Sequence, residues 1–247
     1  MTTWWSELYD DLLADVLLES TSAREIDATL RFLVATLHLR PGDRVFDQCC
    51  GIGRLSVPLA SWGAHVVGVE QAAPYVARAL ARAREAGVSL ELVVGDAFEY
   101  VPPAPCAAAL NWWTSFGYLP DDDGNARMLR RAFEALAPGG RFALDLPNVP
   151  NLYQTFRPSE ITRRGDVVML RESRIDVAHG LLHKLWTFVT PDGRRLARPS
   201  TIKLYTPDRI AGLLAQVGFV DIAHHGGVDG APLDLASPRC IVVGRRP

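Results

Sequence analysis

Asp47, Glu70 and Asp96 are the residues of this 247-residue chain whose types and spacing suit joint chemistry. Each lies at the end of a short apolar run: RVFDQ at 44–48, HVVGVE at 65–70 and LELVVG at 90–95. A carboxylate closing the second run, with Gln71 beside it, can accept both hydroxyl protons of a ribose. An acidic residue next to an aromatic, as in Gly95-Asp96-Ala97-Phe98, suits an adenine amino group and its ring face. Asp47 precedes the loop Gln48-Cys49-Cys50-Gly51-Ile52-Gly53, where it would repel a pyrophosphate and attract an ammonium or a sulfonium. Gly51 and Gly53 let backbone N–H groups at a helix start approach a polar ligand. A GxG pair alone is weak, and its context carries the argument.

Alternating elements must hold these residues. Trp4, Trp5, Leu8, Leu12 and Val16 recur at helical steps, which predicts one helix over 4–16. Ser22 and Glu25 form a capping-box pattern that opens a second helix through Leu37. From residue 43 onward apolar runs alternate with amphipathic ones, the pattern of a parallel sheet covered on both faces. Strands are expected at 44–48, 65–70, 90–95, 108–111 and 141–146, with helices after Gly53, at 74–86 and at 121–137. Residues 161–205 instead read as an antiparallel meander with a Pro-Asp-Gly turn at 191–193. A helix from Thr206 and the strands VDIAHH and CIVVGRR then resume the first pattern, so the meander is an insertion.

The net charge of −2 argues against the broad basic face of a protein that grips nucleic acid. Between Arg157 and Arg209, eleven Arg or Lys face six Asp or Glu, an excess of five that favours an anionic small molecule. No run approaches the roughly 18 apolar residues of a membrane span, and no basic leader precedes the first helix; a cytoplasmic protein without membrane attachment is expected. Cys49, Cys50, Cys106 and Cys240 show neither CxxC spacing nor a histidine at ligand spacing, so no metal is expected.

Residues 43–145 resemble the class I S-adenosylmethionine-dependent methyltransferases. DQCCGIG matches their glycine loop, VVGVE their second-strand acidic motif, VVGDAF their adenine motif, ALNWWTSFGYL their fourth-strand motif and LAPGGRFALDLP their fifth. SFGY, DLPN and the meander look more like the bacterial small-molecule branch than like protein or DNA methyltransferases. The resemblance implies an α/β fold: a Rossmann-like seven-stranded sheet with helices on both faces and an antiparallel insertion after the fifth strand. It also implies one domain over 1–247, with helices of 1–40 covering the cofactor and 150–205 acting as substrate lid or homodimer surface.

The cofactor so implied is S-adenosyl-L-methionine, with S-adenosyl-L-homocysteine as product. The resemblance places Asp47, Gly51 and Gly53 near its methionine moiety, Glu70 and Gln71 at the ribose, and Asp96, Ala97 and Phe98 at the adenine. Asn111 and Trp112 would run along its inner edge, and Tyr9 would close over it. Trp113, Phe116 and Tyr153 are expected against the substrate, and Tyr118 and Asp145 are the catalytic candidates. His179, His183, His224 and His225 are further base candidates, none of them favoured. Cys49 replaces the first glycine of the family loop, which suggests a position without positive φ. Three alternatives stay open: a tRNA-modifying enzyme, a non-methylating protein on the same fold, and a nucleotide-dependent oxidoreductase. The last wants a third glycine where Ser56 stands.

Overall fold

A computed structural model of the chain describes residues 3–247. The first helix expected from the apolar stripe is two: α1 (Trp4–Leu8) and α2 (Asp11–Val16). Asp10 causes the break. Its backbone is extended and its carboxylate accepts the Leu13 N–H at 2.9 Å, so it caps α2 better than it could serve inside a helix. Tyr9 closes α1 just before the break. Helix α3 (Ala23–Thr36) opens on the expected Ser22–Glu25 capping box.

The main sheet has seven strands in the order β10-β11-β5-β4-β1-β2-β3. Strands β1 (Arg44–Gln48), β2 (His65–Glu70), β3 (Glu91–Val94), β4 (Cys106–Asn111) and β5 (Leu136–Pro147) run parallel. Strand β11 (Arg239–Arg245) lies antiparallel between β5 and β10 (Val220–His225). Helices α4 (Ser56–Trp62), α5 (Ala73–Glu85), α6 (Asp122–Ala135) and α8 (Pro207–Val217) complete the layers. The strand order reverses between β1 and β4, and such a reversal leaves a crevice at the carboxyl ends of the strands.

The insertion is a separate antiparallel sheet of four strands: β6 (Ser159–Arg164), β7 (Val167–Asp176), β8 (Leu181–Val189) and β9 (Arg195–Lys203). Helix α7 (Val149–Thr155), also unanticipated, leads into it from β5. Met169, Trp186 and Phe188 of the insertion bury themselves against Leu8, Leu13 and Val16. The amino-terminal helices and the insertion thus share one apolar core over the crevice. Among the described residues, no helix is long and apolar enough to cross a membrane.

Candidate active site

A cavity of about 410 Å³ lies between the crevice and this cover. Cys49, Gly51, Glu70, Gln71, Asp96, Ala97, Phe98, Trp112, Trp113 and Tyr118 line it from the sheet side. Trp4, Trp5 and Tyr9 line it from the amino-terminal segment, and Arg171, Lys184, Trp186, Ser200 and Ile202 from the insertion. Arg239 enters from the start of β11.

Glu70 is 8% exposed. The backbone N–H groups of Gly51 and Ala72 donate to its carboxylate at 3.1 and 2.9 Å, pinning the glycine loop to the end of β2. Burial raises the Glu70 pKa, and these backbone donors oppose the rise. Asp96 accepts the Phe98 N–H at 2.8 Å, which folds the Gly95–Phe98 turn so that Ala97 and Phe98 face the cavity. The ring of Trp5 stands 6.4 Å from that of Phe98.

The glycine loop departs from expectation at two positions. Cys49 adopts φ +63°, so the first loop position does use the left-handed region despite its side chain. That conformation costs a non-glycine residue on the order of 1–2 kcal/mol. Cys49→Gly should therefore stay within about 1 kcal/mol of the parent in chemical denaturation, relief of strain offsetting the freer unfolded chain. Cys49→Val should lose about 2 kcal/mol, because a β-branched residue tolerates this region worst. Gly53 is the second departure: it does not line the cavity. A Cβ there would meet the Ala79 Cβ at 2.9 Å, so this glycine lets the loop pack on α5. At Gly51, φ is +55° and a Cβ would meet nothing within 4 Å. Gly51 is the loop glycine that faces open space.

Asp47, Asn111, Phe116, Asp145 and Tyr153 also lie outside the cavity lining. Asp47 is buried behind the loop, accepting the Ser56 hydroxyl at 2.5 Å. Burial pushes its carboxyl up to about 7, against the Ser56 hydrogen bond. A carboxyl whose pKa is higher folded than unfolded loses stability as pH rises from its unfolded value toward 7. Asp47→Asn should accordingly raise Tm more at pH 8 than at pH 5, by about 1–2 kcal/mol in stability, since an amide oxygen still accepts from Ser56. An equal change at both pH values would refute a titrating Asp47.

Asn111 is fully buried, donating to Gln48 at 3.1 Å and to the Ser115 carbonyl at 3.2 Å, and its Oδ1 has no partner. Phe116 packs in the core beside Tyr205, 5.3 Å between rings, and Tyr153 is exposed on α7. Asp145 binds Arg239 at 2.7 and 2.5 Å and accepts the Trp113 N–H at 3.0 Å. Its carboxylate is thereby committed to structure. The four candidate histidines are elsewhere: His179 pairs with Asp176, His183 with Thr201, His224 with the Pro207 carbonyl, and His225 packs on Phe32.

Tyr118 does line the cavity. Its hydroxyl is hydrogen-bonded to that of Tyr9, and its ring lies 4.9 Å from Trp4 and 5.6 Å from Trp5. Burial raises both tyrosine pKa values, so both stay phenols at neutral pH. Trp113 and Thr114 follow β4 at φ +54° and +66°, and the Arg54 guanidinium lies 3.7 Å from the Trp113 ring centroid. Two adjacent non-glycine residues in this region mark a strained segment of the cavity wall.

Sequence reading missed Trp4, Trp5, Arg54, Arg171, Lys184, Trp186 and Arg239. The basic excess of 157–209 pointed toward Arg171 and Lys184, and the expected cover by the helices of 1–40 toward Trp4 and Trp5.

Residues 45–140 match the family model described as a methyltransferase domain. They span β1 through the opening of β5, the elements that build the sheet side of the cavity. This segment of the chain is thus similar to methyltransferase domains. Among solved structures, the chain is similar to the CcbJ methyltransferase of Streptomyces caelestis, with a TM-score of 0.79 and 21% identity over 96% of this chain and 97% of that one. An S-adenosylmethionine-dependent methyltransferase of Clostridium acetobutylicum gives 0.80 at 15% identity over 98% and 99%. The sugar N-methyltransferase KedS8 of a Streptoalloteichus species gives 0.67 at 20% identity over 92% and 89%. These likenesses describe the fold. Among curated proteins, the 23S rRNA (uracil(1939)-C(5))-methyltransferase RlmD of Ralstonia nicotianae is 30% identical over 133 residues, 54% of this chain and 29% of that enzyme. The chain matches less than a third of that relative's length.

The methyl donor of the class I methyltransferases is S-adenosylmethionine, and the residues present fit it. Gly51 offers open space, and Glu70 and Asp96 line the cavity at the end of β2 and just beyond the end of β3. No group of three or more His, Cys, Asp or Glu placed to hold a metal occurs among the described residues.

Proposed function

We propose that this chain transfers a methyl group from S-adenosylmethionine to a small-molecule acceptor. The observation that carries the reading is the cover over the cavity, where α1, α2 and the inner face of the insertion close one core above the strand ends. A site of about 410 Å³ under such a cover suits a metabolite-sized acceptor, whereas an RNA strand requires an open, basic track. Glu70 and Gln71 would hold the ribose, Asp96, Ala97 and Phe98 the adenine, Gly51 the methionine portion, and Trp112 the inner edge. Tyr9 with Trp4 and Trp5 would close over the donor.

The bound donor supplies an electrophilic methyl carbon. The protein's part is alignment and exclusion of water, which is worth roughly 7–11 kcal/mol when reacting groups are held in line. Tyr9 and Tyr118, kept as phenols, hold the cover in place by their mutual hydrogen bond and cannot act as bases at neutral pH. No carboxylate or histidine free of structural duty faces the acceptor side of the cavity among the described residues, which favours an acceptor atom that is nucleophilic when neutral, such as an amine. Asp145 is a positioning residue for the Trp113–Thr114 segment. The outer face of the insertion carries exposed Ile161 and Leu185, the surface that its alternative role in a homodimer would use.

The RlmD similarity supports a second reading, methylation of structured RNA. Incubating the protein with methyl-labelled S-adenosylmethionine and, separately, with an extract of small amines and alcohols or with deproteinised 23S rRNA separates the two. Label in the small-molecule fraction is expected, and label confined to rRNA overturns the proposal.

A further inference from the structure

The insertion's wall of the cavity is cationic. Lys184 and Trp186 alternate along β8 and so share one face, and Arg171 stands opposite Trp186 on β7. The Lys184 ammonium lies 5.3 Å from the Trp186 ring centroid and the Arg171 guanidinium 5.5 Å. Arg239 reaches the same cavity from β11.

Two of these cations are matched. Arg171 pairs with Glu160, and Arg239 with Asp145. Lys184 makes no ion pair and no side-chain hydrogen bond among the described residues, although it lines the cavity. Burial, and then the charges of Arg171 and Arg239, lower its pKa to about 8, which leaves it mostly protonated at neutral pH. A partly buried ammonium that faces only the Trp186 ring gains when an anion joins it. With Glu160 and Asp145 counted, the corner holds one surplus positive charge, which a monoanion balances and a dianion exceeds.

We propose that Arg171, Lys184 and Arg239 form a subsite for a single carboxylate on the acceptor, with the Trp186 ring facing the planar or apolar portion next to it. The subsite rests on the small-molecule methyl-transfer reading and adds the charge of the acceptor. It also accounts for the strands that bring these residues together: the insertion delivers the charge, and the sheet side of the cavity delivers the donor.

The test is calorimetric titration of the protein saturated with S-adenosylhomocysteine, using benzoate, methyl benzoate and phenyl phosphate as probes. Benzoate should bind about tenfold or more tightly than its neutral ester, as one charge-assisted contact allows. Lys184→Met should erase that preference while its affinity for S-adenosylhomocysteine, measured first, stays at the parental value. Arg171→Met, scored in the same way, serves if the lysine variant does not fold. Equal binding of benzoate and methyl benzoate, no binding of benzoate, or a preference that survives both substitutions overturns the subsite. Phenyl phosphate binding tenfold tighter than benzoate overturns the carboxylate assignment in favour of a phosphate. Failure of the parent protein to bind S-adenosylhomocysteine would count against the methyl-transfer reading itself, apart from the subsite.

Discussion

Glu70→Ala is expected to weaken S-adenosylhomocysteine binding by about 100-fold or more. Two losses combine. The ribose would lose an acceptor for its hydroxyls, each hydrogen bond to a charged group being worth about 1.5–3 kcal/mol. The Gly51 and Ala72 N–H groups would also lose the carboxylate that now fixes them at 3.1 and 2.9 Å, so the loop that faces the ligand would no longer be held ready. Glu70→Gln separates the two effects, because an amide oxygen can keep one backbone contact without the charge. It should fall between the parent and the alanine variant. Calorimetry giving the parental affinity for Glu70→Ala would remove this residue from the donor site.

The parallel strands and part of the sheet side of the cavity were legible in the sequence for a physical reason. Buried parallel strands read as short apolar runs, but the carboxylates that close them divide: Glu70 and Asp96 reach the cavity, whereas Asp47 and Asp145 are bound into the structure. RVFDQ and HVVGVE fall on β1 and β2 without adjustment, and Glu70 and Asp96 both reach the cavity. What failed was backbone detail. The left-handed φ of Cys49 leaves no trace in residue type, since the side chain argues for the opposite. Gly53 looked like a ligand position because the pattern around it is a ligand pattern, yet the near contact with Ala79 is what requires a glycine. Strand β6 went unnamed because SEITRR is polar and almost wholly exposed, so no alternation announces it.

The insertion's wall of the cavity was less legible because its residues come from distant segments. Arg171, Lys184 and Trp186 acquire meaning only from the register of β7 against β8 and from the apolar seam that lays this sheet on α1 and α2. Single residues in a basic stretch carry no sign of which face they occupy. A net excess of five charges announced a sign and nothing about geometry.

Arg239→Met is expected to destabilise the fold by about 3 kcal/mol, toward the low end of the range for leaving one member of a buried pair unmatched. Asp145 is 1% exposed, while the Arg239 side chain keeps about a third of its surface in contact with solvent, which moderates the cost. The pair matters beyond its own charge. Asp145 accepts the Trp113 N–H through its side chain and the Thr114 N–H through its backbone carbonyl at 3.1 Å, and Arg239 donates to the Thr114 hydroxyl at 3.0 Å. These contacts hold two consecutive residues in the left-handed region against their own preference. Removing the guanidinium leaves a buried carboxylate without its partner and lets that segment relax. Asp145→Asn combined with Arg239→Met should recover a good part of the loss, because an amide keeps the Trp113 contact without an unpaired charge. A double-mutant cycle by urea denaturation reads the coupling directly. If Arg239→Met costs less than about 1 kcal/mol and the second substitution restores nothing, the ion pair is incidental and the strain at Trp113 and Thr114 must be held by the packing of the indole instead.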